Sequence, residues 1–280
     1  MINHKWPINA FSSDCAILRY NHSVVTQDER YDNFAHSEPC RTPTHGQTND
    51  LLQHVAIIMD GNRRWAREHG LQPWEGHKAG VESLKTAVTT CLEQGINYLS
   101  VYAFSLENFK RSAEELHHIF SLIPEQLSSD DFNQLLNKGI RIRFVGDRSL
   151  FPKHLIASFE SLEKQTAKNS QLTVCILFCY GGQQEIAASV RSIVSDVQAG
   201  MIDPKTITPQ TVADHLWTAD IPNPDLIIRS GKMHRLSNFL PFQSTYSEIY
   251  FLDCYWPEVT KEHLLKAFDE FYATKRSFGA

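Results

Sequence analysis

No stretch of this 280-residue chain is apolar for long enough to cross a bilayer. Its strictly apolar runs are only a few residues, Val55–Met59 among them, against the ~20 residues that a spanning helix needs. A secretory leader needs a basic start and an apolar core, and Cys15–Leu18 is too short to be one. Organellar targeting segments are poor in acids, whereas Asp14, Asp28, Glu29, Asp32 and Glu38 crowd the beginning here. A cytoplasmic protein is the expectation. Basic charge is not in excess either: 27 Lys and Arg against 32 Asp and Glu leave a net charge of −5, which disfavours a dedicated nucleic-acid binder. A small anion held by a few local arginines remains open. The six cysteines form no C-x-x-C pair and no zinc spacing, so they read as reduced thiols, mostly in the core.

What is present begins at residue 54. Residues 1–50 are rich in Ser, Thr, Asn, Asp, His and Pro without sustained periodicity, and are expected to form a poorly ordered extension ahead of a catalytic domain over 51–280. From His54 onward short apolar runs alternate with amphipathic segments. Strands are expected at 54–59, 98–104, 140–145, 172–180, 226–228 and 248–252. Between them, Val81, Leu84, Ala87, Val88, Cys91 and Leu92 form one helical stripe, with Gly95 placed as its C-terminal cap. Residues 112 to about 137 read as helical, kinked or broken at Pro124, with Glu114 and Glu115 suited to the positive end of its dipole. Further helices are expected over 152–168, 184–197, 209–217 and, capped by Thr260, 260–272. This alternation predicts a single α/β domain, a mostly parallel sheet covered by helices on both faces.

Ligands of such sheets bind outside the carboxyl ends of the strands. Three strand ends are conspicuously polar: Asp60–Trp65, Ser105–Arg111 and Arg229–Asn238. On one rim they would gather several cations, serine hydroxyls and backbone N–H groups around Asp60. Arginine forks and a helix start after Gly61-Asn62 suit a diphosphate. Asp60 among the phosphates calls for a hard divalent cation, Mg²⁺, between them. Other phosphate devices are missing. The glycine that a P-loop needs five residues before Gly231-Lys232 is Leu226, no G-x-G-x-x-G follows a strand, and Asp130-Asp131 lacks the third acid of an Asp-Asp-x-x-Asp cluster.

His54–Asn62, Gly76-His77-Lys78-Ala79-Gly80, Tyr102–Asn108, Tyr180-Gly181-Gly182, Arg235–Phe239 and Tyr246–Phe251 together resemble the signatures of the cis-prenyltransferases, over about 50–278 and in the right order. The resemblance implies that family's fold with an apolar product tunnel, and repeated addition of isopentenyl diphosphate to an allylic diphosphate such as farnesyl or geranyl diphosphate. It implies a Mg²⁺-dependent homodimer, able to touch a membrane peripherally through its product. Carried over by residue, Asp60 is the catalytic and metal-linked acid, with Glu248 completing the metal site from the same rim or the partner subunit. Gly61, Asn62, Arg63, Arg64 and Trp65 would hold the allylic diphosphate with His77 as donor. Ser105 and Asn108 fall at positions implicated in proton removal, Leu106, Glu107 and Phe109 at neighbouring substrate positions. Arg229, Arg235, Leu236 and Ser237 would clamp the second diphosphate, with Arg111 adding a contact. Ala103, Phe104, the apolar face of 112–137 and residues 172–178 are expected around the tunnel, shortened by Leu177 and Phe178.

Several positions depart from the family's pattern. Pro73 stands where an Arg is usual, Cys179 for Asn, Gln183 for Arg, Phe109 for Trp, and Lys232-Met233 for Gly-Glu. A specialised member making a short, branched or cyclised product is therefore the alternative. A non-catalytic partner subunit is disfavoured because Asp60, Asn62 and the arginines are retained.

Overall fold

The structure is a computed structural model that describes residues 51–127 and 129–274, so the expected extension over 1–50 lies outside the described residues. β1 (His54–Ile58) is buried at all five positions, as a strand covered on both faces must be. Val55 and Ile57 enter one core, while Ala56 and Ile58 enter a second core on the opposite face. With β2 (Tyr98–Ser105), β3 (Ile140–Val145), β4 (Leu172–Tyr180), β5 (Leu226–Arg229) and β6 (Glu248–Phe251) it forms a sheet ordered β3-β4-β2-β1-β5-β6, parallel at every pairing. Because β1 lies between β2 and β5, the three polar strand ends adjoin on one edge.

α1 (Asn62–Glu68) follows β1 directly, and α2 (Pro73–Glu93) carries the predicted stripe and ends before Gly95, whose φ of +68° suits its capping role. Pro73 is the first residue of α2, where proline needs no N–H partner, and the Glu75 carboxylate accepts the Gln72 N–H at 2.8 Å. The exchange of Arg for Pro at 73 therefore has a local structural use. α3 (Ala113–Leu127) runs through Pro124, and the break falls later, where Ser129 caps α4 (Asp130–Leu136) by accepting the Phe132 N–H at 3.3 Å. Ile119 and Phe120 of α3 are buried in the core shared with the sheet. α5 (Lys153–Thr166) and α8 (Lys261–Ala273) join the same core through Leu155, Phe159, Leu264 and Phe268. On the other face α6 (Gly182–Gln198) and α7 (Pro209–Asp214) follow β4, and Glu185 accepts hydrogen bonds from Tyr180 Oη and from the Thr218 N–H at 3.1 Å. At Cys179 the backbone is left-handed (φ +50°) and the β2–β4 register slips before Tyr180. Asparagine, the family's residue there, tolerates that conformation better than cysteine.

Candidate active site

Asp60 lies just beyond the last rung of β1, and two arginines hold its carboxylate. Arg64, one turn into α1, reaches Oδ1 at 3.0 Å, and Arg229 at the end of β5 reaches Oδ2 at 2.8 Å. Ser230 fixes the corner: its Oγ donates to the Asp60 carbonyl at 2.8 Å and accepts the Asp60 N–H at 3.1 Å. Arg229 is buried and also donates to Ser237 Oγ at 2.8 Å and to the Arg235 carbonyl, while Arg235 Nε donates to Ser237 Oγ at 3.2 Å. The predicted group of Arg229, Arg235 and Ser237 is thus assembled beside Asp60. Gly61 has φ +106°, and a Cβ there would stand 2.7 Å from Tyr255 Cδ1, so only glycine fits between Asp60 and the ring.

A second charged group sits on the neighbouring side of α1. Glu115, 3% exposed, places Oε1 3.3 Å from His77 Nε2, 3.4 Å from Arg111 Nη1 and 3.5 Å from Arg63 Nε. Burial alone would raise its carboxyl, but the His77 hydrogen bond and the Arg111 and Arg63 charges outweigh that and hold it below the usual range. Burial lowers His77, partly offset by Glu115, which favours the neutral imidazole. His77 Nδ1 in turn lies 3.4 Å from the Asn62 amide nitrogen. Sequence reading missed Glu115 as a site residue, since an acid in the first turn of a helix ordinarily serves the dipole, and it missed Ser230 as well. Two buried polar atoms at this rim, Asn62 Oδ1 and Arg229 Nε, have no hydrogen-bond partner among the described residues, which leaves an acceptor and a donor for a ligand or water to engage.

Asn62, His77 and Arg111 also line an otherwise largely apolar cavity of about 220 Å³, together with Lys85 and Gln126. It extends between the sheet and α2, α3 and α4, past Phe178 and Ile176 of β4 to Ile140 of β3 and Leu136 of α4. Ala103 lines it as expected. Phe104 does not; it is fully buried among Phe109, Phe120 and Phe178. Leu177 points into the other core, so of the two bulky residues only Phe178 borders the cavity. The alternation of β4 puts them on opposite faces.

The remaining predicted residues are placed as follows. Ser105 is nearly buried at the end of β2, its N–H held by Asn108 Oδ1 at 3.1 Å, which caps the short 3₁₀ turn Leu106–Lys110. Glu107 accepts from Asn238 Nδ2 at 3.1 Å and so ties that turn to the β5–β6 loop. Leu106 and Phe109 pack against the first core and Leu236 against the second, outside the cavity lining. Trp65 stacks on His69 at 4.2 Å. Glu248 opens β6 opposite Leu226, at the start of β5, whereas Asp60 lies beyond the end of β1. The two acids are therefore at opposite ends of the sheet, and the expected same-rim metal pair does not form within one chain. Among the described residues no three His, Cys, Asp or Glu side chains gather as a metal cage.

Residues 58–279 match the protein family described as "Putative undecaprenyl diphosphate synthase". The chain is 41% identical over 228 residues to the geranylgeranyl-diphosphate-specific tritrans,polycis-undecaprenyl-diphosphate synthase of Methanopyrus kandleri, covering 81% of this chain and 84% of that protein. It is 41% identical to the (2E,6E)-farnesyl-diphosphate-specific ditrans,polycis enzyme of Pseudomonas syringae pv. tomato, covering 82% and 92%. Among solved structures, lavandulyl diphosphate synthase from Lavandula x intermedia, in complex with dimethylallyl diphosphate, superposes with a TM-score of 0.78 at 32% identity, covering 81% of this chain and 98% of that one. A probable undecaprenyl diphosphate synthase from Campylobacter jejuni gives 0.67 at 29%, covering 82% and 99%. With its family model matched over 58–279 and relatives 41% identical across four-fifths of its length, the chain belongs to the cis-prenyltransferase family of the undecaprenyl diphosphate synthases.

Proposed function

We propose that this enzyme adds isopentenyl diphosphate repeatedly to an allylic diphosphate, farnesyl or a close homologue, to build a cis-polyprenyl diphosphate. The observation that carries the reading is the continuity of the two halves of the site: Asn62, His77 and Arg111 belong both to the charged rim and to the lining of the apolar cavity. An anionic head and an apolar tail have adjoining places. Arg64 binds and orients a diphosphate with the guanidinium N–H groups that Asp60 does not hold, and Arg229, whose Nη atoms are engaged by Asp60, Ser237 and the Arg235 carbonyl, adds its unpartnered Nε as a donor. The cavity walls exclude water from the allylic cation and the lengthening chain. Ser105, its backbone fixed by Asn108, is assigned to the proton lost from the isopentenyl unit. Asp60 would hold Mg²⁺ together with substrate oxygens, a donor set that suits an ion bound through one carboxylate and phosphates. Bound there, the ion would neutralise charge on the departing pyrophosphate. A homodimer places a second Glu248 within the assembly, and a cytoplasmic enzyme drawn to a membrane surface by its lipid product completes the reading.

A second reading, a single condensation giving a short product, draws on the higher TM-score against lavandulyl diphosphate synthase. One assay separates them: labelled isopentenyl diphosphate with Mg²⁺ and farnesyl or geranylgeranyl diphosphate, products sized by chromatography. A ladder of long products is expected. One short product selects the second reading, and no incorporation with any primer refutes both.

A further inference from the structure

Four of the five non-glycine residues with left-handed backbone among the described residues fall in the loop between β5 and β6: Lys232 (φ +58°), Ser237 (+52°), Asn238 (+66°) and Leu240 (+48°). That conformation is disfavoured for any residue with a Cβ, so each instance needs a compensating contact or a function. Three have a visible contact. Ser237 Oγ accepts from Arg229 and Arg235, Asn238 Oδ1 accepts the Gln183 N–H at 2.8 Å, and Leu240 is buried in the second core. Lys232 is exposed, and no hydrogen bond or ion pair holds it among the described residues. Its ammonium lies 4.9 Å from the centroid of the Tyr255 ring, and the guanidinium of Arg64, the group that grips Asp60, lies 5.4 Å from the same centroid. The loop is pressed onto that pair: a Cβ on Gly231 would stand 2.7 Å from Arg64 Nη2 and 2.9 Å from the Asp60 carbonyl carbon.

Asp60 is already matched by Arg64 and Arg229, and two further acids at Tyr255 are engaged by that residue, Glu68 accepting from its hydroxyl at 2.5 Å and Glu258 from its N–H at 2.7 Å, so Lys232 has no ion-pair partner among the described residues. Residues 230–247 contain no Asp or Glu, while Lys232, His234 and Arg235 stand among them, so the loop offers an anion direct contacts and offers a metal ion no carboxylate. Met233 joins Arg235, whose Nη1 lies 3.5 Å from its sulfur. Tyr255 is buried but Lys232 is exposed, so the ammonium stays hydrated on its outer side and can be exchanged from the ring to a phosphate oxygen. We infer that Lys232 is a further cation of the diphosphate site, held over Tyr255 until a diphosphate arrives, and that it supplies neutralisation which would otherwise fall to the divalent ion. The inference rests on the reading that a diphosphate occupies this rim.

The test is calorimetric titration of the full-length enzyme with inorganic pyrophosphate, once in chelator and once with saturating Mg²⁺, for wild type, Lys232→Ala and Lys232→Gly. Glycine relieves the left-handed backbone, so Lys232→Gly should melt about 2 °C higher than wild type while binding less well, which separates loss of charge from loss of fold. In chelator both variants should bind pyrophosphate roughly tenfold more weakly. With Mg²⁺ the gap should close to about threefold or less, because the ion then carries the charge. Unchanged binding of Lys232→Ala in chelator overturns the inference, and so does a gap of equal size in both conditions, or no binding by wild type in either. Lys232-dependent pyrophosphate binding by an enzyme that incorporates no isopentenyl diphosphate would sink the proposed function alone. Chain elongation with Lys232-independent binding would sink only this inference.

Discussion

Glu115 is the acid around which the second charged group is arranged, and its value follows from what its removal would leave behind. One buried carboxylate oxygen faces His77, Arg111 and Arg63 at 3.3 to 3.5 Å. Breaking a buried ionic group by deleting one partner costs more than the group contributes as a whole, because the remaining charges stay desolvated. Glu115→Gln should therefore lose about 3 kcal/mol of stability at neutral pH, measured by urea unfolding. Pyrophosphate, supplying the missing negative charge to the arginines, should then raise the melting temperature of the variant more than that of wild type. The sign with pH follows from the lowered carboxyl. Its contribution is complete above the ordinary Glu range and is lost as pH falls through the depressed folded value, so the gap between wild type and variant should narrow in acid. A constant gap down to acid pH would show that the carboxylate charge is not what holds the cluster.

At the scale of elements, β1 depends on a buried histidine at its start. His54 Nδ1 lies 2.6 Å from the Pro222 carbonyl and Nε2 lies 2.8 Å from Ser100 Oγ, which joins β1 to β2 and to the segment entering β5. Burial lowers its pKa to about 4, against about 6.5 in an unfolded chain. The folded state then binds fewer protons between those values, so the stability His54 contributes is complete above about pH 6.5 and is lost as pH falls toward 4, about 3 kcal/mol in all. Urea unfolding across that window should show the slope, and His54→Gln should remove most of it while leaving other carboxylate-linked losses at lower pH. Much of this architecture was legible in the sequence, because buried parallel strands are short apolar runs and each run here ends in Asp, Ser, Gly or Arg. The rim was legible for the same reason. The far ends of β5 and β6 were not, since only their register shows that Glu248 begins a strand at the edge away from Asp60. Neither was the role of Glu115, which depends on how closely α2 brings His77 to α3. The parity of Leu177 and Phe178 becomes fixed only once β4 has partners on both sides.

For the whole molecule, the net charge of −5 hides a local reversal: Arg63, Arg64, Arg111, Arg229, Lys232 and Arg235 outnumber the acids among them, Asp60, Glu68, Glu107 and Glu115. Such a rim attracts a small polyanion from a distance while the rest of the surface repels larger ones. What one chain does not bring to that rim is a second acid beside Asp60. If Glu248 serves the metal, it does so across a two-fold axis, where each subunit lends its Glu248 to the other's Asp60. Asp60→Ala and Glu248→Ala should each be inactive alone with circular dichroism unchanged, the Asp60 variant melting lower because the buried Arg229 loses its counter-charge. Refolded together, they should recover activity, because a mixed dimer then holds one site with an intact Asp60 from one chain and an intact Glu248 from the other. With half of the dimers mixed and one of two sites restored in each, recovery should reach about a quarter of the wild-type rate. Were Glu248 to act within its own chain, every site in the mixture would lack one of the two acids and the mixture would stay inactive. Should Glu248→Ala alone retain near wild-type turnover, the residue has no part in the reaction, and Asp60 with the substrate oxygens is the whole of the metal's protein contact.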